Sequence, residues 1–232
     1  MTIDPLPTGL YLVGTPIGNL GDITARALDT LRRAHLILAE DTRRSRQLLT
    51  HFEIRTPLLS CHRFNEAARV SRVLTALDAG QAVAYVTDAG MPAIADPGAR
   101  LVQAVRAAGR LVTAAPGPSA ADMALALSGW GGGAFHFEGF LPVKSGARAR
   151  RLEVLLAMPH PVILYESPYR LLRLLEELET LAPERPLFLA RELTKFFEET
   201  RLGPAAELRA AFAQRTVKGE LVLLIAPQTE AK

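Results

Sequence analysis

Two loops carry the residues whose types and spacing could do chemistry. The first, Thr87-Asp88-Ala89-Gly90-Met91-Pro92-Ala93-Ile94-Ala95-Asp96-Pro97-Gly98, follows the apolar run Ala82 to Val86 and holds two glycines and two prolines. Such a loop is stiff, and with little side chain in the way its backbone amides and carbonyls can approach a ligand. The second is Gly14-Thr15-Pro16-Ile17-Gly18-Asn19. A dinucleotide loop needs Gly-x-Gly-x-x-Gly, and here Pro16 replaces the middle glycine and removes an amide donor. A phosphate-cradling loop needs Gly-Lys-Ser/Thr, which the chain lacks. The ligand expected at this loop is small and has no phosphates. Glu40, at the end of the second apolar run, mimics a ribose-binding acid, so a nicotinamide-binding reading stands beside the first.

The elements that must position these loops follow from the apolar runs. Leu10-Tyr11-Leu12-Val13-Gly14, Leu36-Ile37-Leu38-Ala39, Pro57 to Ser60, Ala82 to Val86 and Leu111 to Ala114 read as strands. Helices are expected from Asp22 or Thr24 to about Arg33, from Arg43 to His51, over Glu66 to Ala79, over Arg100 to Ala108 and over Ala121 to Leu127. Pro97 is expected to open its helix behind an Asp96 cap. Strands and helices alternating in this way imply a parallel sheet, with both loops at the carboxyl ends of strands. Met1 to Gly9 is expected to be a loose Pro-rich leader.

Gly129-Trp130-Gly131-Gly132-Gly133 marks a boundary, giving an N-terminal α/β domain over 1–128 and a C-terminal one over 129–232. Beyond it, strands are expected at Phe135 to Phe140, Pro161 to Tyr165, Pro186 to Ala190, Phe196 to Leu202 and Glu220 to Ala226. Helices are expected at Arg148 to Ala157, Leu171 to Leu181 and Ala205 to Phe212. This half is richer in strand, so its sheet should be mixed.

Composition excludes several classes. The 232 residues are 49% hydrophobic and 22% charged, ordinary for a soluble globular protein, with a net charge of only +3. One cysteine, Cys61, rules out an internal disulfide framework and a thiolate metal cluster, and the five histidines show no metal-ligand spacing. No stretch approaches the length of a membrane span, and no charged segment precedes an apolar one at the N-terminus. A cytoplasmic protein with no metal and no membrane partner is expected.

Taken together, the ordered blocks resemble a known family. Gly14-Thr15-Pro16-Ile17-Gly18-Asn19-Leu20, Glu40-Asp41-Thr42-Arg43, Asp88-Ala89-Gly90-Met91-Pro92-Ala93-Ile94, Asp96-Pro97-Gly98 and Pro116-Gly117-Pro118-Ser119-Ala120 are similar to those of tetrapyrrole-methylase-like enzymes, the class III methyltransferases. His62-x-x-Asn65-Glu66, Glu138 to Pro142, Tyr165-Glu166-Ser167-Pro168, Ala190-Arg191-Glu192-Leu193-Thr194-Lys195 and Lys218-Gly219-Glu220 resemble the branch that methylates small-subunit ribosomal RNA. The resemblance runs from about Gly9 to Pro227.

It implies a two-domain fold, a parallel N-terminal and a mixed C-terminal sheet with a cleft between them, and a homodimer. It also implies S-adenosylmethionine as methyl donor and transfer to the ribose 2′-hydroxyl of a cytidine in the decoding region of 16S rRNA within the small ribosomal subunit. Carried over by position, the donor-binding residues are Pro16, Asp88, Gly90, Met91, Ile94, Ser119, Ala120, Tyr165, Glu166, Ala190, Gly219 and Glu220. The chain has Thr87 and Met91 where relatives usually have Ser and Thr. Many relatives also continue into a small helical extension, whereas this sequence stops at Lys232.

A ribose hydroxyl is a poor nucleophile at neutral pH, so it must be positioned and its proton accepted. Glu166, Glu192 and Glu220 are the candidate acceptors, with Lys195 beside them. Each acid could equally pair structurally with Arg170, Arg191 or Lys218. Asn19, Arg43, His62, Asn65, Arg191 and Lys218 are the candidate substrate contacts. Two basic clusters, Arg43-Arg44-Ser45-Arg46 and Lys144 with Arg148, Arg150 and Arg151, read as an RNA path or as solvated helix faces. No aromatic interleaving marks a stacking platform. The alternatives are a tetrapyrrole C-methyltransferase and an RNA-binding relative without catalysis.

Overall fold

The computed structural model describes residues 6–228, so Met1 to Pro5 of the expected leader lie outside it. The chain divides into two compact units between Ser119 and Ala120.

In the first unit the elements alternate strictly: β1 (Gly9–Val13), α1 (Ala25–Arg33), β2 (Leu36–Ala39), α2 (Thr42–His51), β3 (Leu58–Ser60), α3 (Glu66–Asp78), β4 (Ala82–Val86), α4 (Ala99–Ala107) and β5 (Val112–Ala115). The five strands form one sheet in the order β3-β2-β4-β1-β5, and every pairing is parallel. Alternate residues feed two cores. Tyr11, Val13, Ile37, Ala39, Ala82 and Ala84 pack with Ala27 and Leu31 of α1 and Leu49 of α2. Leu10, Leu38, Val83 and Tyr85 pack with Val73 and Leu77 of α3 and Leu101 and Val105 of α4. β4 is buried along its whole length, as an apolar strand covered on both faces must be.

Thr24 caps α1, its hydroxyl accepting from the Ala27 amide. The start of α4 differs from the expected Asp96 cap and Pro97 opening. Gly98 holds the cap position at φ +130°, and a Cβ there would stand 2.5 Å from Cε1 of Tyr85. Only glycine fits both the angle and the buried ring. The buried Glu66 carboxylate accepts from the Leu101 amide at 2.9 Å, meeting a helix donor that a glycine cap leaves open.

The second unit contains α5 (Ala120–Ser128), β6 (His136–Phe140), α6 (Ser145–Leu156), β7 (Val162–Glu166), α7 (Leu171–Leu181), β8 (Leu187–Arg191), β9 (Glu199–Gly203), α8 (Ala205–Ala213) and β10 (Leu221–Ile225). Its sheet runs β6-β7-β10-β8-β9. β6 and β7 are parallel, whereas β10 is antiparallel to β7 and β8, and β9 to β8, so the sheet is mixed. The leucine stripe of α7 (Leu171, Leu174, Leu175, Leu178) and Leu208 and Phe212 of α8 cover one face. α5 packs on β7, β8 and β10, so the glycine cluster at 129–133 lies inside this unit.

The strand expected over Phe196 to Leu202 starts only at Glu199. Residues 192–198 form consecutive turns, with the Lys195 amide bonded to the Glu192 carbonyl and the Glu198 amide to that of Lys195. Glu192 and Thr194 take left-handed angles there, φ +52° and +68°. Among the described residues no helix is long and apolar enough to cross a membrane.

Candidate active site

Because the first sheet is wholly parallel, the carboxyl ends of β4, β1 and β5 lie side by side along one edge. The three loops leaving them are tied together by backbone. Thr15 and Gly90 exchange two hydrogen bonds, each N to O at 3.0 Å, which adds a rung of antiparallel ladder beyond the sheet. The Gly14 amide donates to the Ala115 carbonyl at 3.0 Å. Gly14 and Gly117 then face each other so closely that a Cβ on Gly14 would lie 2.6 Å from the Gly117 Cα and 2.7 Å from Met91 Sδ. A Cβ on Gly117 would lie 2.7 Å from the Gly14 Cα. Pro16, Asp88, Gly90, Met91, Ile94 and Ser119 are thus carried on loops at one sheet edge. Ala120 is the first residue of α5 in the second unit. Ile94 is 67% exposed, an apolar side chain free to meet a ligand.

Sequence reading named the acids at this edge one by one and missed that they share it. Glu40 follows β2, Asp88 lies just beyond β4, and Asp96 sits later in the same loop. Asp88 accepts from the Asp41 amide at 3.1 Å and faces Arg44 at 3.4 Å. Burial raises the Glu40 pKa, and the neighbouring charges of Asp96 and Asp88 add to it. Burial also raises Asp96, again with a contribution from Asp88. The edge carries a negative field, which favours a cationic ligand. A motif scan could not find it, because Glu40 and Asp96 meet only through the pairing of β2 with β4.

In the second unit the expected residues also gather at one end of the sheet. The register sets Leu221 opposite both Glu166 and Arg191, so the ends of β7 and β8 flank the start of β10. Phe140, the last residue of β6, pairs with Tyr165, whose ring meets Phe137 and Phe140 edge-on. Ala190 is fully buried in β8.

The three acids differ. The Glu166 side chain is only 1% exposed. Its Oε1 accepts from the Ser167 amide and from Arg170 Nε, both at 2.6 Å, so it braces the turn into α7. Glu192 Oε1 accepts from Lys195 Nζ at 2.7 Å and from the Glu220 amide at 2.9 Å. Lys195 Nζ also donates to Glu220 Oε2 at 2.9 Å. Gly219, at φ +96°, lies against Glu192, and a Cβ there would run into that carboxylate. Burial is the largest influence on both Lys195 and Glu192 and opposes their charge, but their hydrogen bond to each other, those with Glu220 and the neighbouring charges together outweigh it. Lys195 is held above and Glu192 below its ordinary pKa. Lys195 is therefore a donor at neutral pH and not a base. Glu220, 67% exposed at its side chain, is the accessible carboxylate.

Several expected substrate contacts serve the fold. Arg191 binds Glu199 and the carbonyls of Lys218 and Phe197. Asn65 accepts from the His62 amide and its side-chain nitrogen lies 3.2 Å from the His62 ring, closing the turn before α3. Asn19 caps a short turn at Gly21. Arg43 holds Asp41 through two hydrogen bonds and keeps it at about 2. Lys218 stays exposed. In the second basic cluster, Arg148 is buried against Glu177 and Arg151 is paired with Glu138, so neither forms part of a free basic face.

Glu199 collects Arg191, Arg201 and Arg215. Burial alone would raise its pKa, and the three guanidiniums overcome this and hold it at about 2, against an ordinary 4.5. Its folded value lies below its unfolded one, so its pairs stabilise the fold above about pH 4.5 and lose that effect as pH falls towards 2. Melting temperature measured against pH should fall across this window, and Glu199→Gln should flatten the fall.

The profile of the Tetrapyrrole (Corrin/Porphyrin) Methylases matches residues 9–209. A ribosomal RNA small subunit methyltransferase I from Xylella fastidiosa is 47% identical over 94% of this chain and 81% of its own. One from Synechocystis sp. is 48% identical over 95% of this chain and 79% of its own. The structure of a uroporphyrin-III C-methyltransferase from Thermus thermophilus, complexed with S-adenosylhomocysteine, has a TM-score of 0.65 at 18% identity, covering 94% of this chain and 97% of that one. By the profile match and by identities near one half along almost its whole length, the chain belongs to the tetrapyrrole methylase family, in its ribosomal RNA small subunit methyltransferase I branch.

Proposed function

We propose that this chain methylates the ribose 2′-hydroxyl of a cytidine in the decoding region of 16S rRNA within the small ribosomal subunit. S-adenosylmethionine is the donor. The observation that carries the reading is the backbone-laced seat at the ends of β1, β4 and β5. It offers glycine backbone and an apolar Ile94, it has no phosphate cradle, and its Glu40, Asp88 and Asp96 suit a sulfonium. Pro16, Gly90, Met91, Ile94 and Ser119 would hold the donor, Met91 through its main chain, its thioether being packed towards Gly14. In the second unit, Tyr165, Ala190 and Gly219 are the residues that the family resemblance assigns to the donor. Bound there, S-adenosylmethionine supplies an electrophilic methyl group. Among the described residues no set of three His, Cys, Asp or Glu is placed to hold a metal.

The chain's own residues would then orient the hydroxyl and take its proton. Lys195, charged and fixed between two carboxylates, orients the ribose; Glu220, the accessible acid, accepts the proton; Glu192 fixes both, and Glu166 braces the loop behind them. A homodimer and a cytoplasmic location belong to the same proposal, from the family resemblance. The relatives at 42–48% identity carry the ribosomal name, whereas the tetrapyrrole enzymes share only fold-level identity. The test is tritiated methyl transfer to 30S subunits lacking the modification, with naked rRNA and a tetrapyrrole precursor alongside. Alkali-resistant label in the subunit rRNA is expected; label in the tetrapyrrole alone would overturn the reading.

A further inference from the structure

Four aromatic rings stand in solvent at the end of the second sheet where Glu166, Lys195 and Glu220 gather. Phe140 ends β6 and is 59% exposed, Tyr169 lies between β7 and α7 and is 96% exposed, and Phe196 and Phe197, between β8 and β9, are 94% and 66% exposed. Single apolar residues on a surface are ordinary, but four rings at one sheet end are not. From these rings we infer a platform on which unpaired RNA bases stack beside the nucleotide to be methylated, an inference that rests on the proposed rRNA substrate.

The rings are presented and not merely loose. The turn carrying Phe196 and Phe197 is laced by the Thr194 amide on Glu198 at 2.6 Å, by Lys195 on Glu192, and by Arg191 on the Phe197 carbonyl at 3.1 Å. Phe196 and Phe197 meet edge to face, 5.0 Å between centroids at 88°, which leaves ring faces open to a flat partner. The strands involved run from β6 to β9, four strand spacings or about 19 Å across, the length of several bases stacked about 3.4 Å apart.

Charge selects the occupant. Lys144, Lys218, Lys195, Glu198 and Glu220 are carried on the loops and strand ends at this same end of the sheet, so the rings share it with charged groups, unlike the apolar core of a copy–copy interface. A nucleotide strand suits this pattern, because each base offers a π-face to a ring and each phosphate a charge to a lysine.

The test measures binding of a short unstructured oligoribonucleotide carrying 2-aminopurine, by fluorescence anisotropy and by quenching, to the full chain. Phe196→Ala with Phe197→Ala should weaken binding by about ten-fold or more and abolish the quenching. Both rings are exposed, so the core is untouched. Phe196→Trp should retain both signals. The salt slope should stay as in the unaltered protein, since no phosphate contact is removed, and donor binding should not change. Equal affinity and quenching in the alanine variant would overturn the inference. So would conversion to a smaller species in sedimentation with RNA affinity retained, which would make the rings a contact between copies. If the unaltered protein transfers no methyl to rRNA while the alanine variant still loses quenching, the proposed reaction falls and the platform stands.

Discussion

Gly14→Ala is expected to abolish donor binding in titration calorimetry and to lower the melting temperature by several degrees, while Gly131→Ala changes neither. The new methyl at position 14 would lie 2.6 Å from both the Cα and the amide nitrogen of Gly117. Main chain cannot rotate aside as a side-chain tip can, so the loops after β1 and β5 must separate. Overpacking costs about 1–3 kcal/mol and here sits at the upper end. For a chain of this size that is a fall in melting temperature of about 6–12 °C. Separation also strains the Thr15–Gly90 exchange on the other side of β1, so the damage spreads to every loop of the seat. Gly131 has open space around it and isolates the effect of a methyl alone. Normal donor affinity in Gly14→Ala would remove these loops from the binding site.

Glu220→Gln should lower single-turnover methyl transfer by about a hundred-fold or more, the ordinary contribution of a positioned proton acceptor. The amide keeps the shape and can still accept from Lys195, so fold and melting temperature should hold. Glu192→Gln provides the contrast. That acid takes hydrogen bonds from Lys195 and from the Glu220 amide and is held below its ordinary pKa. Its loss should appear in stability as well as rate. An unchanged rate in Glu220→Gln would assign the proton elsewhere.

Much of the fold could be read from the sequence because burial writes itself into residue type. Ala82 to Val86 reads as a strand with its observed bounds because every residue is apolar and every one is buried. Leu171 to Leu181 reads as a helix because its leucines recur at helical spacing and end up in the core. The failures came where local chemistry misleads. Phe196 and Phe197 look like strand residues, yet their rings are in water and the strand waits for Glu199. Asp96 and Pro97 look like a helix start, yet the ring of Tyr85 forces the cap onto Gly98.

Candidate site residues could be named from blocks of sequence, but the partners that each one holds in the fold could not. Arg191 and Arg148 read as cations for phosphate, and only three dimensions show their carboxylate and carbonyl partners. The aromatic rim escaped notice for the opposite reason. Phe140, Tyr169 and Phe196 are far apart in the chain, and only the order of the sheet brings them to one edge.

The rung between Thr15 and Gly90 uses peptide groups alone. Two segments 75 positions apart in the chain are therefore stitched by atoms that every residue but proline possesses, and mutation can rewrite the side chains while the stitch persists. Amide protons at these two positions should exchange with solvent as slowly as those of the strands, because the loops can open only when the strand ends part. A loop cluster closed in this way is ordered by its own backbone. If the donor binds there as proposed, little of its affinity need be spent on ordering the chain, and side chains around the rung can change without loosening it.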